Sequence, residues 1–423
     1  MTNTIFKNAT LINGTGNKPI ERGILVVEDQ HIVFAGNSEL WKEAEGKSYV
    51  EIDLAGKFIL PGLIDCHVHI ACECFPDSVL NGPLGWTTLI MLRHAQNTLA
   101  AGITTIRDVG GRHHLEFSLR KAVEAGLFAA PRMSLAGKLL SITSTGSEWY
   151  EGMYREADGV DEVRKAAREQ LKAGADLIKV LATGAVLAPG EKPGAAQFEI
   201  EEIRAAVVEA AKVGKIVAAH AHGIDGIRNA VEAGAKTIEH GTYLNQDPRV
   251  MERMAKEGIF LVPTLKAGFD VIYGDKPDIP DWIMEKSKET QEDAMLSLRR
   301  AHEMGVPIAM GTDAATPYNF HGENAMELEY MSQAGMSAMD CIVASTKNAA
   351  RALGWENKVG TLEAGKLADL IVVNQNPLEN LKSLADRKNI EHVMQGGKFV
   401  ARQFANDGGI PEELMAKAWV CCS

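Results

Sequence analysis

Residues 61–70 read PGLIDCHVHI, an apolar run that ends in two histidines, His67 and His69, one residue apart. In an extended strand, residues i and i+2 point to the same face, so the two imidazoles converge on one point, an arrangement that suits a divalent cation. For an HxH taken alone, a surface or turn pair is the alternative. Position gives this one weight: the buried-looking run FILPGLI (58–64) precedes it and a polar, Cys-containing loop follows. Ends of strands in α/β proteins are where ligand sites form. The missing donors are therefore expected at the ends of other strands.

Working outward from that stretch, residues 59 to about 355 alternate short apolar, β-rich runs with longer helical ones. The candidate strands are FILPGLIDCHVHI (58–70), ITTIRDV (103–109), RMSLAG (132–137), DLIKVLA (176–182), IVAAHAH (216–222), AKTIEH (235–240), IFLVPT (259–264) and VPIAMGTD (306–313). Amphipathic stretches such as DEVRKAAREQLKAG (161–174) and IEEIRAAVVEAAKVG (200–214) fill the intervals, with Gly174 and Gly214 at expected helix C-caps. Eight comparable βα units predict an α/β fold, a (β/α)8 barrel of the TIM type; a doubly wound open sheet is the alternative.

The two ends of the chain have a different rhythm. TIFKNATLI, GILVVEDQHIVFAG and YVEIDLAGKFI near the start, and VGTLEAGKLADLIVVN and IEHVMQGGKFVAR near the end, read as strands joined by Gly, Asn and Asp turns. The expected organisation is a small β-sandwich domain built from residues 1–58 and 358–423 around a barrel of residues 59–357.

The 423 residues are 46% hydrophobic and 24% charged, an ordinary globular composition. A net charge of −12 argues against nucleic acid and against an anionic membrane surface. The segment MTNTIFKNATLINGTG does not read as a signal peptide, and no run reaches the ~18 apolar residues that span a bilayer, so a cytoplasmic protein is expected. Cys66, Cys72, Cys74, Cys341, Cys421 and Cys422 form no disulfide pattern and read as free thiols.

At the ends of the candidate strands the same kind of residue recurs: Lys179 between Ile178 and Val180, His220 in AAHAHG, His240 in IEHGTYL and Asp313 in MGTDAA. On a barrel these ends share one rim. Four histidines and an aspartate there suit a borderline metal better than Ca2+ or Mg2+. Each histidine alone has a core or capped alternative; jointly that reading is weaker. A charged lysine is costly to bury, so Lys179 either pairs with an acid, snorkels, or is neutral and modified.

With these residues in this order, the chain resembles the amidohydrolase superfamily, in particular its prolidase-like branch, which includes imidazolonepropionase-type relatives. The carriers are the HxH of PGLIDCHVHI, Lys179, His220, His240, Asp313, GTDAA and the C-terminal VGTLEAGKLADLIVV, so the resemblance covers almost the whole chain. It implies two divalent metal ions, Zn2+ foremost. His67, His69 and Asp313 would hold one and His220 and His240 the other, with an N6-carboxylated Lys179 bridging them. His222 competes with His220, sharing its face at i+2.

The activity so implied is hydrolysis of the peptide bond of a dipeptide, foremost an Xaa-Pro dipeptide, by a metal-bridging hydroxide with Asp313 as proton shuttle. A carboxypeptidase for C-terminal Arg or Lys, or another N-acyl amino acid hydrolase, is the alternative. A non-catalytic metal-binding scaffold is the reading from a different class. GxSxG is absent, which disfavours a serine hydrolase. Tyr243 is a candidate oxyanion donor, and Arg112, His114, Tyr318 and His321 are candidates for binding a substrate carboxylate, each with a surface-loop alternative. Where the resemblance implies a Gly-Gly-His loop after strand 3, this chain has Thr145, Gly146, Ser147 and Glu148. Glu148 and Glu151 there could face a basic leaving group, or Trp149 and Tyr150 could wall an apolar pocket. The partners expected are a dipeptide or N-acyl amino acid and further copies of the chain in a homo-oligomer.

Overall fold

A computed structural model describes residues 3–42, 46–72, 82–274 and 279–400. Cys74, Cys421, Cys422 and the end of the expected small domain lie outside them. Cys66, Cys72 and Cys341 are buried free thiols.

The chain begins with β1 (Thr4–Leu11), β2 (Ile20–Glu28), β3 (His31–Asn37), β4 (Val50–Asp53) and β5 (Phe58–Pro61). β6 (Leu63–Val68), β7 (Ile103–Asp108), β8 (Arg132–Leu135), β9 (Leu139–Ser141) and β10 (Tyr154–Glu156) follow. Next come β11 (Leu177–Leu181), β12 (Ile216–Ala221), β13 (Thr237–His240) and β14 (Phe260–Val262), and finally β15 (Leu370–Val373), β16 (Ile390–Gln395) and β17 (Lys398–Phe399).

Strands from both ends of the chain form one eight-stranded sheet in the order β17-β16-β15-β5-β1-β2-β3, with β4 paired to β1. In place of the expected two-layer sandwich there is thus one continuous hydrogen-bonded sheet among the described residues. The period-2 alternation of β5 and β15 explains how it is used. Ile59, Leu370 and Val372 turn to the sheet's own core with Phe6, Leu25 and Met394, whereas Leu60, Ile371 and Val373 turn to the large core of the βα units.

The stretch 58–70 divides in two. β5 belongs to the sheet, and after Gly62 the chain starts β6 against β7. A Cβ on Gly62 would stand 2.2 Å from Thr104 Oγ1, so this close crossing needs glycine. Sequence periodicity could not reveal the division, because both halves are apolar.

β6, β7 and β8 are parallel, as are β9, β11, β12, β13 and β14. Strand 3 is interrupted at Gly137 (φ +75°), so that β8 pairs with β7 and β9 with β11. The amide of Asp176 donates to the carbonyl of Leu135 at 2.7 Å, linking β8 to the start of β11. Residues 306–313, expected as strand 8, form no ladder. They make a bridge between Leu261 and Ile308, and the Cys66 amide donates to the Met310 carbonyl at 2.9 Å. Backbone links therefore run from β6 through β7, β8, β11, β12, β13, β14 and residues 307–313 back to β6.

Helices pack outside these strands through small residues: Ala166 and Ala167 of Val160–Ala173, Ala206 and Ala210 of Ile200–Ala211, and Ala230 of Ile224–Ala233. Gly174 (φ +104°) caps the first, whereas Gly214 lies two residues beyond the Lys212 cap of the second. No described helix is long and apolar enough to cross a membrane.

Asp369 ties the sheet to the barrel. Its carboxylate receives the Arg132 guanidinium at 3.0 Å through each oxygen and the Gly396 amide at 2.7 Å, and its carbonyl accepts from Gly62. The Asp369 side chain is almost fully buried. Asp369→Ala should cost roughly 2–4 kcal/mol, because it strands two donors at a buried seam. A fall in denaturant midpoint at unchanged m checks this.

Candidate active site

β6 ends by presenting two imidazoles. His67 Nδ1 lies 2.9 Å from Glu239 Oε2 and His69 Nδ1 lies 3.1 Å from the carbonyl of Gly110. Those acceptors take the Nδ1 proton and leave Nε2 of each ring free to act as a donor of electrons. Both Nε2 atoms lie 3.3 Å from Asp313 Oδ1. His240 and His222 are oriented in the same way, with Nδ1 2.7 Å from Thr264 Oγ1 and Thr242 Oγ1. For His220 it is Nε2 that meets a carbonyl, that of Gly184 at 3.3 Å, which leaves its Nδ1.

The rings crowd together. Centroids of His220 and His222 both lie 4.6 Å from that of His240, and His67 lies 4.9 Å from His240. Donor atoms of His220, His222 and His240 fall within 4.8 Å of one another, as do those of His67, His240 and Asp313. Burial holds His220 and His240 well below the usual histidine range and His222 down to about 4, so the cluster is neutral and its lone pairs are available. Burial works to raise the Asp313 carboxyl, but His67 and His69, when protonated, hold it well below the ordinary carboxylate range.

Lys179 stands on β11 with 1% exposure, and its Nζ has no hydrogen-bond partner among the described residues. Burial brings its amine down to about 8, against the opposing charges of Glu239 and Asp313. His240 (φ +69°), Thr264 (φ +50°) and Asp313 (φ +57°) all adopt left-handed backbone, a strain characteristic of functional sites.

Of the six residues expected to hold metal, the structure brings all to one cavity, and adds His222. The signal for His222 was present in AAHAHG, the same i, i+2 pattern as HVH. The other candidates do not line this cavity. Arg112 is used by the carbonyl of Gly82, Thr87 Oγ1 and Glu151 Oε2. His114 turns away in left-handed backbone (φ +60°) to Gln170 Oε1 at 2.7 Å. Tyr318 (φ +61°) is buried with its ring near Phe320. His321 stacks on His94 and braces the His69 carbonyl. Tyr243 is part-buried behind the rim, its amide donating to the His222 carbonyl.

What does line the cavity beyond the histidines is largely apolar: Leu139, Met153, Leu181, Val186, Leu187 and Val271, with Tyr150 and Tyr154 stacked at 5.8 Å. Neither Glu148 nor Glu151 lines it; Glu148 is exposed and Glu151 pairs with Arg112 and His113.

The arrangement has relatives. The model of the amidohydrolase family matches residues 58–400. The chain is 31% identical over 428 aligned residues to ochratoxinase from Aspergillus niger, covering 93% of this chain and 86% of that protein. It is 25% identical to imidazolonepropionase from Maricaulis maris, over 92% of this chain and 96% of that one. A crystal structure of a Xaa-Pro dipeptidase with bound methionine in the active site superposes with a TM-score of 0.85 at 34% identity, covering 94% of this chain and all of that one. A prolidase complexed with N-methylphosphonate-L-proline gives 0.86 at 29% identity, over 95% of this chain and 100% of that one. With residues 58–400, which span the His and Asp cluster, matched by that model, the chain belongs to the amidohydrolase family.

Proposed function

We propose that the protein is a binuclear-metal hydrolase that cleaves the C–N bond of small amides with apolar flanks, with Xaa-Pro dipeptides as the leading substrates. The observation that carries this reading is the buried Lys179 amine without a partner, set among neutral histidines and the Asp313 carboxylate. A lone buried ammonium there would be costly, whereas a carbamate formed on the neutral amine is an anionic ligand able to reach two cations. His67, His69 and Asp313 would hold one metal, and His220 and His240 the other, with His222 beside them. Nitrogen-rich donors favour zinc. Two such cations would lower the pKa of water from ~15.7 to around 7 and polarise the scissile carbonyl.

The chain's own residues do the rest. Asp313, held as a carboxylate, takes the proton of the attacking water and gives it to the leaving nitrogen, so that hydroxyl ends on the carbonyl carbon and hydrogen on the amine. Glu239 fixes the tautomer of His67, Thr242 and Thr264 hold the His222 and His240 rings in place, and the apolar walls exclude bulk water.

With no carboxylate among the described lining residues besides Asp313, a basic leaving group has no partner, so the Arg/Lys carboxypeptidase reading loses its support. The apolar walls and the similarity to ochratoxinase over 93% of the chain support a second reading, hydrolysis of a larger apolar N-acyl amino acid. A scaffold without activity would have no use for a strained, ionised Asp313.

Zinc-loaded protein should hydrolyse Leu-Pro and Met-Pro, or else N-benzoyl-phenylalanine; chelation should abolish turnover and zinc restore it. Turnover that survives chelation would refute the metal chemistry, and none on any amide the hydrolase reading. Asp313→Asn should lower kcat by about 10²–10⁴ while most of the bound zinc remains, read by elemental analysis. His222→Asn is expected to weaken zinc by roughly 10–100-fold, as loss of a supporting group does.

Reconstitution of the apoprotein should need CO2, supplied by bicarbonate, and at a fixed concentration of dissolved CO2 it should become faster with pH. With the Lys179 amine at about 8, its reactive neutral form grows roughly tenfold between pH 7 and 9. A rate independent of bicarbonate would exclude the carbamate.

A further inference from the structure

One wall of the cavity is the helix Asp281–Glu303, which presents Ser287, Thr290, Gln291 and Ala294 to it. The spacing i, i+3, i+4, i+7 is a single helix face. Thr290 uses its hydroxyl on its own helix, at 2.9 Å from the carbonyl of Lys286 and 3.1 Å from that of Ser287. Gln291 differs. It is 9% exposed, it lines the cavity, and its amide nitrogen has no hydrogen-bond partner among the described residues. Its carboxamide packs on Gly268, where a Cβ would come within 2.0 Å of Oε1, so a side chain at 268 would displace it.

A buried donor left unpaired is expensive, and native chains retain one where something else supplies the acceptor. The charge pattern says what kind of acceptor. Apart from the histidines, the charged residues among the described lining residues are Lys179 and Asp313, both within the proposed metal site. A carboxamide cannot neutralise an ion, so a charged group buried against Gln291 would stay uncompensated.

We propose that Gln291 is a specificity-determining residue that reads an uncharged hydrogen-bond acceptor, a carbonyl or carboxamide oxygen, on the part of the substrate lying against this helix. It discriminates against charged groups at the same place. The inference rests on the hydrolase reading only for the identity of the cavity as the substrate site.

The test uses zinc-loaded wild type, Gln291→Met and Gln291→Glu, and dipeptides in which the first or second residue in turn is Leu, Gln, Lys or Glu. At one of the two positions, wild type should prefer Leu and Gln to Lys and Glu by about 10²-fold in kcat/KM. Gln291→Met should lower the rate for the Gln substrate about tenfold and leave the Leu substrate within about twofold. Gln291→Glu, which changes the amide to a carboxylate at constant shape, should raise the Lys substrate at least about tenfold. The same ranking in all three proteins overturns the inference.

If no dipeptide is turned over, the dipeptidase reading has failed and binding decides instead. Calorimetric titration of the three proteins with L-glutaminamide, L-lysinamide and L-leucinamide should then give an order that follows residue 291. An order indifferent to residue 291 overturns the inference.

Discussion

The rim stands on a buried ion pair inside the ring of strands. Arg107 on β7 reaches past its sheet neighbours to β13, where its NH2 group lies 2.8 Å from Glu239 Oε1 and NH1 donates to Thr237 Oγ1 at 3.1 Å. Its Nε donates to the carbonyl of Cys66 on β6. Because β7 pairs with β6 and β8 and not with β13, this side chain must cross the interior. Burial alone would keep Glu239 protonated; the Arg107 charge, with the hydrogen bond from His67, brings it down to about 2. One carboxylate thus joins strands 1, 2 and 6 and sets the tautomer of His67. Such a pair adds little net stability over an apolar core, but loss of either partner leaves a buried charge, which explains its worth for geometry.

The chemistry of the rim was more legible in the sequence than the architecture beneath it. Donors such as His67, His69 and His240 stand out because polar residues at the ends of apolar runs violate the local pattern. Lys179 between Ile178 and Val180 is the strongest such violation, and the structure finds it buried and unpartnered. The division of 58–70 was invisible because two buried strands in succession have one composition. The substrate-binding candidates lie off the cavity lining for another reason: Arg112, His114 and His321 are polar loop residues whose partners, Glu151, Gln170 and His94, are distant in sequence. No local pattern encodes such pairings. Gln291 escaped notice because a glutamine in a helix reads as solvent-facing.

Those redirected residues still serve the site. Arg112 and His113 hold Glu151, and Glu151 sits between Tyr150, which lines the cavity, and the turn to Met153, which lines it too. This loop therefore turns Tyr150, Met153 and Tyr154 inward while Glu151 is paired outside. The Tyr150 hydroxyl lies 3.3 Å from the carbonyl of Leu187, which joins this loop to the one after β11. Two loops with few fixed elements thereby form one apolar wall of the cavity.

The missing ladder of strand 8 raises the question of how Asp313 is placed. Asp65 supplies the answer. Its Oδ1 accepts the amides of His67 at 3.0 Å and Thr312 at 3.1 Å, and its Oδ2 accepts Thr312 Oγ1 at 2.6 Å and Asn324 Nδ2 at 2.7 Å. Asn319 Nδ2 then donates to the carbonyls of Thr312 and Asp313 at 2.6 and 3.0 Å. A ladder would fix this segment through its backbone and hold it in extended geometry. Side-chain hydrogen bonds instead let the backbone turn left-handed at Asp313, and that turn directs the carboxylate to His67 and His69. Replacing ladder bonds by Asp65 and Asn319 is thus what frees the last strand to deliver the proton-accepting group of the proposed reaction.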